Sequence, residues 1–416
     1  MKRVLILCDV FPPAFGPRMG FLCKYLPLYG WEATVVAENT SDEYTAPFPP
    51  RFVETRWVNF YPQCPQWLRN IRWLLTFAAD VLVGYKDLKM YHEVKKVCRA
   101  QHFDALLCST FRSFPLVAAS RIAQQYNLPM IADLRDILEQ CPQEKGEYTE
   151  HKLKMPPLIR QAVLKSFRKM HLRRRNKALR QAAAVTTVSP WHVETLSRYN
   201  HRTELIYNGY DPELFYPQTI PSRRFLITYT GRLLSTAVNN PALLMQALRK
   251  LTDEGFLTPE RCRVQWYVDE ASRRVVEQEA SKEGVEVYMD INSFVPAAEV
   301  PRLLNGSSVL LLLTNLSSDS GTHGIMTTKF FEYLAVGKPI LCVRSDEDCL
   351  AAALKEAQAG LAASTLEEVC DFLKQQYALW QDKGQTSVTV PPCILQRYSR
   401  KEQAERFSLL LEEVSL

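Results

Sequence analysis

Val4-Leu-Ile-Leu-Cys8, then Phe11-Pro-Pro-Ala-Phe-Gly-Pro-Arg-Met-Gly20, then a helical pattern over 21–29 closed by Gly30, then Glu32-Ala-Thr-Val-Val-Ala37 open the chain. A short apolar run bounded by turn residues reads as a buried strand, and the longer pattern after the glycine loop reads as a helix. Strand, loop, helix, strand is the βαβ unit of a parallel sheet. The pattern recurs outward from this start. Asp104-Ala-Leu-Leu-Cys108, Met130-Ile-Ala132 and Val185-Thr-Thr-Val188 read as strands, with a helix over 114–126. The turn-rich Tyr207-Asn-Gly-Tyr-Asp-Pro-Glu-Leu-Phe-Tyr-Pro217 breaks the alternation, and Phe225-Leu-Ile-Thr-Tyr229 restarts it. Further strands are expected over 264–268, 285–289, 309–313 and 339–343, with helices between them. Pro391-Pro392 marks a linker before a last helix over 400–414. The expectation is two doubly wound α/β domains over 1–216 and 217–390, followed by a closing segment over 391–416.

Composition narrows the class. The 416 residues are 47% hydrophobic, enough for sizeable cores and too many for wholesale disorder. Eleven cysteines, none in a Cys-x-x-Cys pair, read as reduced thiols of a cytoplasmic enzyme. The first apolar run stops at Asp9, too short for the core of a signal peptide. No stretch reaches the roughly 18 apolar residues that span a bilayer. The seven histidines show no paired ligand spacing, so no metal or other cofactor is expected.

The net charge is +6, and one segment exceeds it: from 151 to 192 there are eleven Lys and Arg and no Asp or Glu. Within it Ile159, Ala162, Val163, Phe167 and Met170 share a helical face, while Arg160, Lys165, Arg168 and Lys169 lie largely elsewhere. A basic amphipathic helix over 158–170 suits an anionic membrane surface, met through residues 152–180, which would make the protein peripheral on the inner face of a membrane. The alternative is a solvated helix packing its apolar side on the first domain. The region 67–97 is also amphipathic and rich in aromatic residues. A nucleic-acid partner is not expected, because no basic platform interleaved with aromatic residues appears.

Four constellations carry chemistry. Gly16, Arg18 and Gly20 lie in the loop after the first strand, where a backbone approaches a phosphate or sugar and a helix N-terminus attracts anions; an ordinary βα turn reads the same way. Ala132-Asp-Leu-Arg-Asp136 ends a strand, so Asp133 or Asp136 accepts a proton or binds substrate hydroxyls, or else forms a structural Asp–Arg pair. Tyr229-Thr-Gly231-Arg232 puts an arginine where it grips a diphosphate and stabilises charge on a leaving group; the alternative is a surface arginine. The fourth is Gly321-Thr-His-Gly-Ile-Met-Thr-Thr-Lys-Phe-Phe-Glu-Tyr-Leu-Ala-Val-Gly-Lys-Pro339, a loop leading into a helix. Thr327 and Thr328 would stand at the helix N-terminus, with Lys329 and Glu332 three apart on one face. Lys329 would neutralise phosphate and Glu332 accept from ribose hydroxyls, unless the two simply pair with each other.

With these motifs and Val188-Ser-Pro190 and Tyr398-Ser-Arg400, in this order over nearly the whole chain, the sequence resembles a GT-B glycosyltransferase of the GT4-type family. The resemblance implies two Rossmann-like domains facing a cleft, the first (1–216) binding the acceptor and the second (217–390) a nucleotide sugar. The segment 391–416 would carry the helix that crosses back to the first domain. It implies a retaining, metal-independent hexosyltransferase acting on a glycan or lipid-linked acceptor, in surface polysaccharide synthesis. It places Gly16 by the donor phosphates, Arg232 and Lys329 on the diphosphate and Glu332 on the ribose. Three departures stand out. The family's glutamate eight positions before Glu332 is Gly324 here, with Asp319 or His323 as substitutes in the same loop. Val238, Asn239 and Asn240 occupy the region where many members carry a lysine, and Ser109-Thr110 stands where many carry a histidine. Two other readings fit the same fold, a nucleotide-sugar 2-epimerase and a catalytically silent nucleotide-sugar-binding scaffold.

Overall fold

The computed structural model describes residues 1–14, 16–39, 53–61, 64–111, 113–140, 157–233, 239–314, 323–343 and 348–416, with backbone alone for 157–160 and 348. The chain divides into two compact units, Met1–Tyr207 with Gln403–Leu416, and Asn208–Glu402.

In the first unit, β1 (Lys2–Cys8), α1 (Pro17–Tyr25), β2 (Trp31–Glu38) and β3 (Glu54–Val58) come first. Next are α2 (Arg69–Val83), α3 (Tyr85–Ala100), β4 (Ala105–Thr110), α4 (Leu116–Tyr126) and β5 (Met130–Leu134). Then follow α5 (Pro157–Gln181), β6 (Ala184–Thr187), α6 (Pro190–Leu196) and β7 (Thr203–Leu205). The seven strands form one parallel sheet in the order β3-β2-β1-β4-β5-β6-β7. Residues 4–8 of β1 are wholly buried, as expected for a central parallel strand covered on both faces. Successive side chains point to opposite layers. Leu5 and Leu7 join Met90, Val94, Ile122 and Leu179 from α3, α4 and α5, whereas Val4, Ile6 and Cys8 join Met19 and Leu22 of α1.

In the second unit the elements are β8 (Phe225–Thr230), α7 (Ala242–Asp253), β9 (Cys262–Tyr267), α8 (Glu270–Glu283), β10 (Met289–Asn292) and α9 (Val300–Asn305). They continue with β11 (Val309–Leu313), α10 (Thr328–Val336), β12 (Ile340–Val343), α11 (Asp348–Glu356), β13 (Gly360–Ala363), α12 (Leu366–Lys383) and α13 (Pro392–Arg397). The parallel order is β10-β9-β8-β11-β12-β13. The last helix, α14 (Arg400–Ser415), runs across the division between the units. From residue 403 on, its Ala404, Phe407, Leu410 and Leu411 belong to the core layer of Val4 and Ile6.

Two parallel α/β sheets are what the alternation implies. Local details differ. The helix expected over 21–29 starts earlier, with Pro17 pre-set for its first turn, and its last residues tighten into a 3₁₀ turn, Leu26–Tyr29, where Pro27 lacks an amide. The strand expected over 285–289 begins only at Met289. Gly284 ends α8 in a left-handed conformation, and Val285 returns its amide to Ala280, so the chain leaves in a turn. The apolar runs of the sequence do not indicate strands β3, β7 and β13, each of which lies at a sheet edge.

Candidate active site

Ligands of open parallel sheets gather at the carboxyl ends of the strands. In the second unit, that end of β8 carries Gly231 and Arg232. Gly231 has φ +113°, and a Cβ there would lie 2.5 Å from Lys329 Cε and 3.0 Å from its Nζ. Only glycine therefore lets the Lys329 side chain lie across the strand end. The Lys329 ammonium sits 4.9 Å from the centre of the Tyr229 ring and 3.4 Å from its hydroxyl, which in turn donates to the Arg232 carbonyl at 2.9 Å. Burial holds the Tyr229 phenol above its ordinary value, so it remains a donor. Thr327 is the N-cap of α10 in an extended conformation and makes no side-chain cap, so the first turn presents its amides beside Lys329. Thr328 opens the helix and is half-buried, as is Thr327.

The guanidinium of Arg232 is mostly exposed, 3.2 Å from the Asp269 carboxylate and 5.9 Å from the Phe294 ring centre. Burial works against charge on Asp269, but hydrogen bonds from Ser272 and the charge of Arg232 hold its carboxyl below the usual range. One turn into α10, Glu332 is half-buried. Loss of solvation pushes its carboxyl up to about 7, against the pull of Arg400 and Lys329. Arg400 itself is buried; its guanidinium donates to Asn208 Oδ1 at 3.3 Å and its amide to the Tyr210 carbonyl at 2.8 Å. His323 is half-buried in the loop before α10, next to Gly324, whose φ is +67°. Asp319 and Val238 lie outside the described residues. Asn239 donates to the Leu313 carbonyl at 2.8 Å, and Asn240 accepts the Ala242 amide at the start of α7 at 2.9 Å.

In the first unit the expected residues separate. Asp133 is wholly buried and does not reach solvent. Its oxygens accept from Arg18 (Nε at 3.0 Å, Nη2 at 2.8 Å), from Ser109 Oγ at 2.8 Å and from Thr186 Oγ1 at 2.8 Å. Burial raises the cost of its charge, yet Arg18 and the two hydroxyls outweigh it and hold the carboxyl below the usual range. Arg18 also donates to the Ile206 carbonyl at 2.9 Å and the Tyr207 carbonyl at 3.0 Å. This corrects the expectation for both residues. Asp133 is not placed to act on a substrate, nor is Arg18 to bind a donor, because each is committed to a buried pair that ties α1 to β5. The arginine that pairs with Asp133 is Arg18, not its near neighbour Arg135. Gly16 is likewise used internally: a Cβ there would meet the Val10 carbonyl oxygen at 2.7 Å.

Asp136 remains exposed beyond β5, with the charges of Arg135 and Asp9 near it. Asp9, at the end of β1, accepts from Arg135 and, at 3.0 Å, from Thr110 Oγ1. His192, behind the same sheet edge, is buried with Nδ1 3.0 Å from Thr187 Oγ1, and burial lowers it to about 4. Sequence reasoning missed Asp9 and Asp269, and it gave Arg400 no role at the site. Asp9 and Asp269 share a signal it could have used, an acid just past an apolar run. Among the described residues no cluster of His, Cys, Asp or Glu is placed to hold a metal ion, and no helix is long and apolar enough to cross a membrane.

The model of Glycosyltransferase Family 4 matches residues 20–214, and that of a glycosyl transferase-like family matches 264–386. No curated protein sequence matches the chain significantly. Among solved structures, Anabaena Alr3699/HepE in complex with UDP aligns over 99% of this chain and 100% of its own, with 14% identity and a TM-score of 0.67. Sucrose-phosphate synthase from Thermosynechococcus elongatus aligns over 99% of both chains, with 12% identity and a TM-score of 0.63. The lipopolysaccharide outer core galactosyltransferase WaaB covers 99% of this chain and 100% of its own, with 9% identity and a TM-score of 0.58. At such identities the likeness is one of fold, and the fold is GT-B. The two family models together span most of the chain, so each unit resembles a glycosyltransferase domain.

Proposed function

We propose that the protein moves a hexosyl group, with retention and without a metal ion, from a nucleoside-diphosphate sugar to a glycan or lipid-linked acceptor in surface polysaccharide synthesis on the cytoplasmic side of a membrane. The observation that carries this is the close approach of Lys329 to Gly231 beside an uncapped helix N-terminus. It concentrates positive potential at one strand end, which suits a diphosphate. When the bond from the sugar's anomeric carbon to the diphosphate oxygen breaks, negative charge gathers on the departing diphosphate. Lys329, Arg232 and the amides of Thr328 and Lys329 would stabilise it, lowering the barrier without a divalent ion. The acceptor hydroxyl bonds to the anomeric carbon, and its proton leaves with the diphosphate. Glu332, when ionised, would accept from the ribose hydroxyls, and His323 would reach the donor sugar. Asp136, which unlike Asp133 reaches solvent, would orient acceptor hydroxyls, with Arg135 and Asp9 fixing its surroundings.

HepE has been solved with UDP and with UDP-glucose, which makes UDP the first nucleotide to try. The test is a thermal-shift panel of UDP, GDP, ADP and dTDP with their sugars, on wild type and Glu332→Ala. One nucleotude family should raise the wild-type Tm by several degrees and leave the variant unmoved. No shift with any of them would sink the reading. Donor bound but neither transferred nor slowly hydrolysed would leave the silent scaffold.

A further inference from the structure

Surface helices ordinarily turn their apolar stripe toward the protein. Helix α2 does the reverse. Ile71, Leu74, Leu75 and Leu82 are 54%, 53%, 65% and 80% exposed, and Trp67, in the turn that leads into the helix, is 77% exposed. Residues 71, 74, 75, 78 and 82 recur at helical spacing and so share one face. The inward face is made instead by Thr76, which is buried, and by Trp73 and Phe77, whose rings stack at 5.3 Å. A contiguous apolar patch of this kind marks a surface that something covers.

The charges beside it indicate what. Helix α5 packs on α2: Phe77 stacks on Phe167 at 5.6 Å, and Arg174 donates to the Val81 carbonyl at 3.4 Å. Of the α5 cations, Arg175 is buried in a bidentate pair with Glu139, at 2.7 and 2.6 Å. Lys165, Lys169, Arg173 and Lys177 follow one another at four-residue intervals and are all exposed. No acid occurs anywhere in α5 or in α2 before Asp80. A second copy of this chain would set one row of cations against another in a two-fold contact, which is repulsive. An anionic bilayer satisfies both features, taking leucines below the headgroups and lysines among them.

We propose that the outer face of α2, flanked by the exposed cations of α5, docks the protein on an anionic lipid bilayer. This moves the inserting surface away from α5, where the sequence suggested it: Phe167 on that helix's apolar face is occupied by Phe77 and His171. The proposal rests on the lipid-linked arm of the acceptor reading. Its test uses no donor or acceptor, so the two fail separately.

The full chain is sedimented with vesicles of phosphatidylcholine alone or mixed with phosphatidylglycerol, at low and high salt. Binding is expected only with phosphatidylglycerol and should weaken with salt. Lys165→Glu/Lys169→Glu/Arg173→Glu should lower partitioning by at least about fivefold per position. Leu74→Ser/Leu75→Ser/Leu82→Ser should lower it by about tenfold or more, with the melting temperature unchanged because these side chains already face solvent. Brominated lipid should quench the Trp67 contribution, read as the difference from Trp67→Phe. Absence of sedimentation, or equal sedimentation of the leucine variant, overturns the proposal. So does a dimer by light scattering that the leucine variant converts to monomer without vesicle binding, for then the face is an interface between copies.

Discussion

Glu332 shows how one residue combines folding and function. Its carboxyl titrates near 4.5 when exposed and about 7 in the fold. A raised carboxyl pKa means that the folded state disfavours the ionised form. The penalty is absent below pH 4.5, grows between 4.5 and 7, and is complete above 7. Glu332→Gln should therefore melt at the same temperature as wild type near pH 4.5 and at a higher one at pH 8, as measured by calorimetry across that range. A gap that shrank with rising pH would contradict the assigned environment. The identity of this residue was legible in the sequence, because Lys329 and Glu332 open a helix after a glycine-rich loop. Its titration was not, because Arg400, one source of the field on it, lies 68 positions further along the chain.

Among the elements, the loop between β1 and α1 reads as a place for phosphate, but the arginine just after it, in the first turn of α1, serves as a stitch. Arg18 joins α1 to Asp133 of β5 and to the carbonyls that follow β7. Removing one member of a buried pair strands the other charge, whereas removing both does not. Arg18→Met alone and Asp133→Leu alone should each lower stability by about 3–5 kcal/mol in urea unfolding, and Arg18→Met/Asp133→Leu by clearly less than their sum. Additive losses would show that the two do not act as a pair. The partner was hidden from local reading because Arg135 is two residues from Asp133, whereas Arg18 is 115 away and arrives only when β1 and β5 enter one sheet. Helix α2 was likewise seen as amphipathic, but nothing in its own sequence says which face turns outward.

At the scale of the whole molecule, the C-terminal helix joins the core layer on one face of the first sheet. Phe407 is buried against Val4 and Ile6, and the Arg18 guanidinium lies 5.2 Å from the centre of its ring. Phe407→Ala should cost the first unit about 3–5 kcal/mol and leave the second unit's transition in place, followed by protease resistance of the two units during urea titration. Simultaneous loss of both would mean that they unfold as one. The alternation of strands and helices, and hence two parallel α/β units, was determined by sequence alone, because a strand buried on both faces must be apolar throughout and its turns must carry glycine and proline. The pairing of Arg18 with Asp133, the field of Arg400 on Glu332, the exposure of α2's leucines and the place of Phe407 were decided only by tertiary structure. Periodicity records whether a position is buried, but contacts between distant positions follow from sheet order, which no local pattern contains.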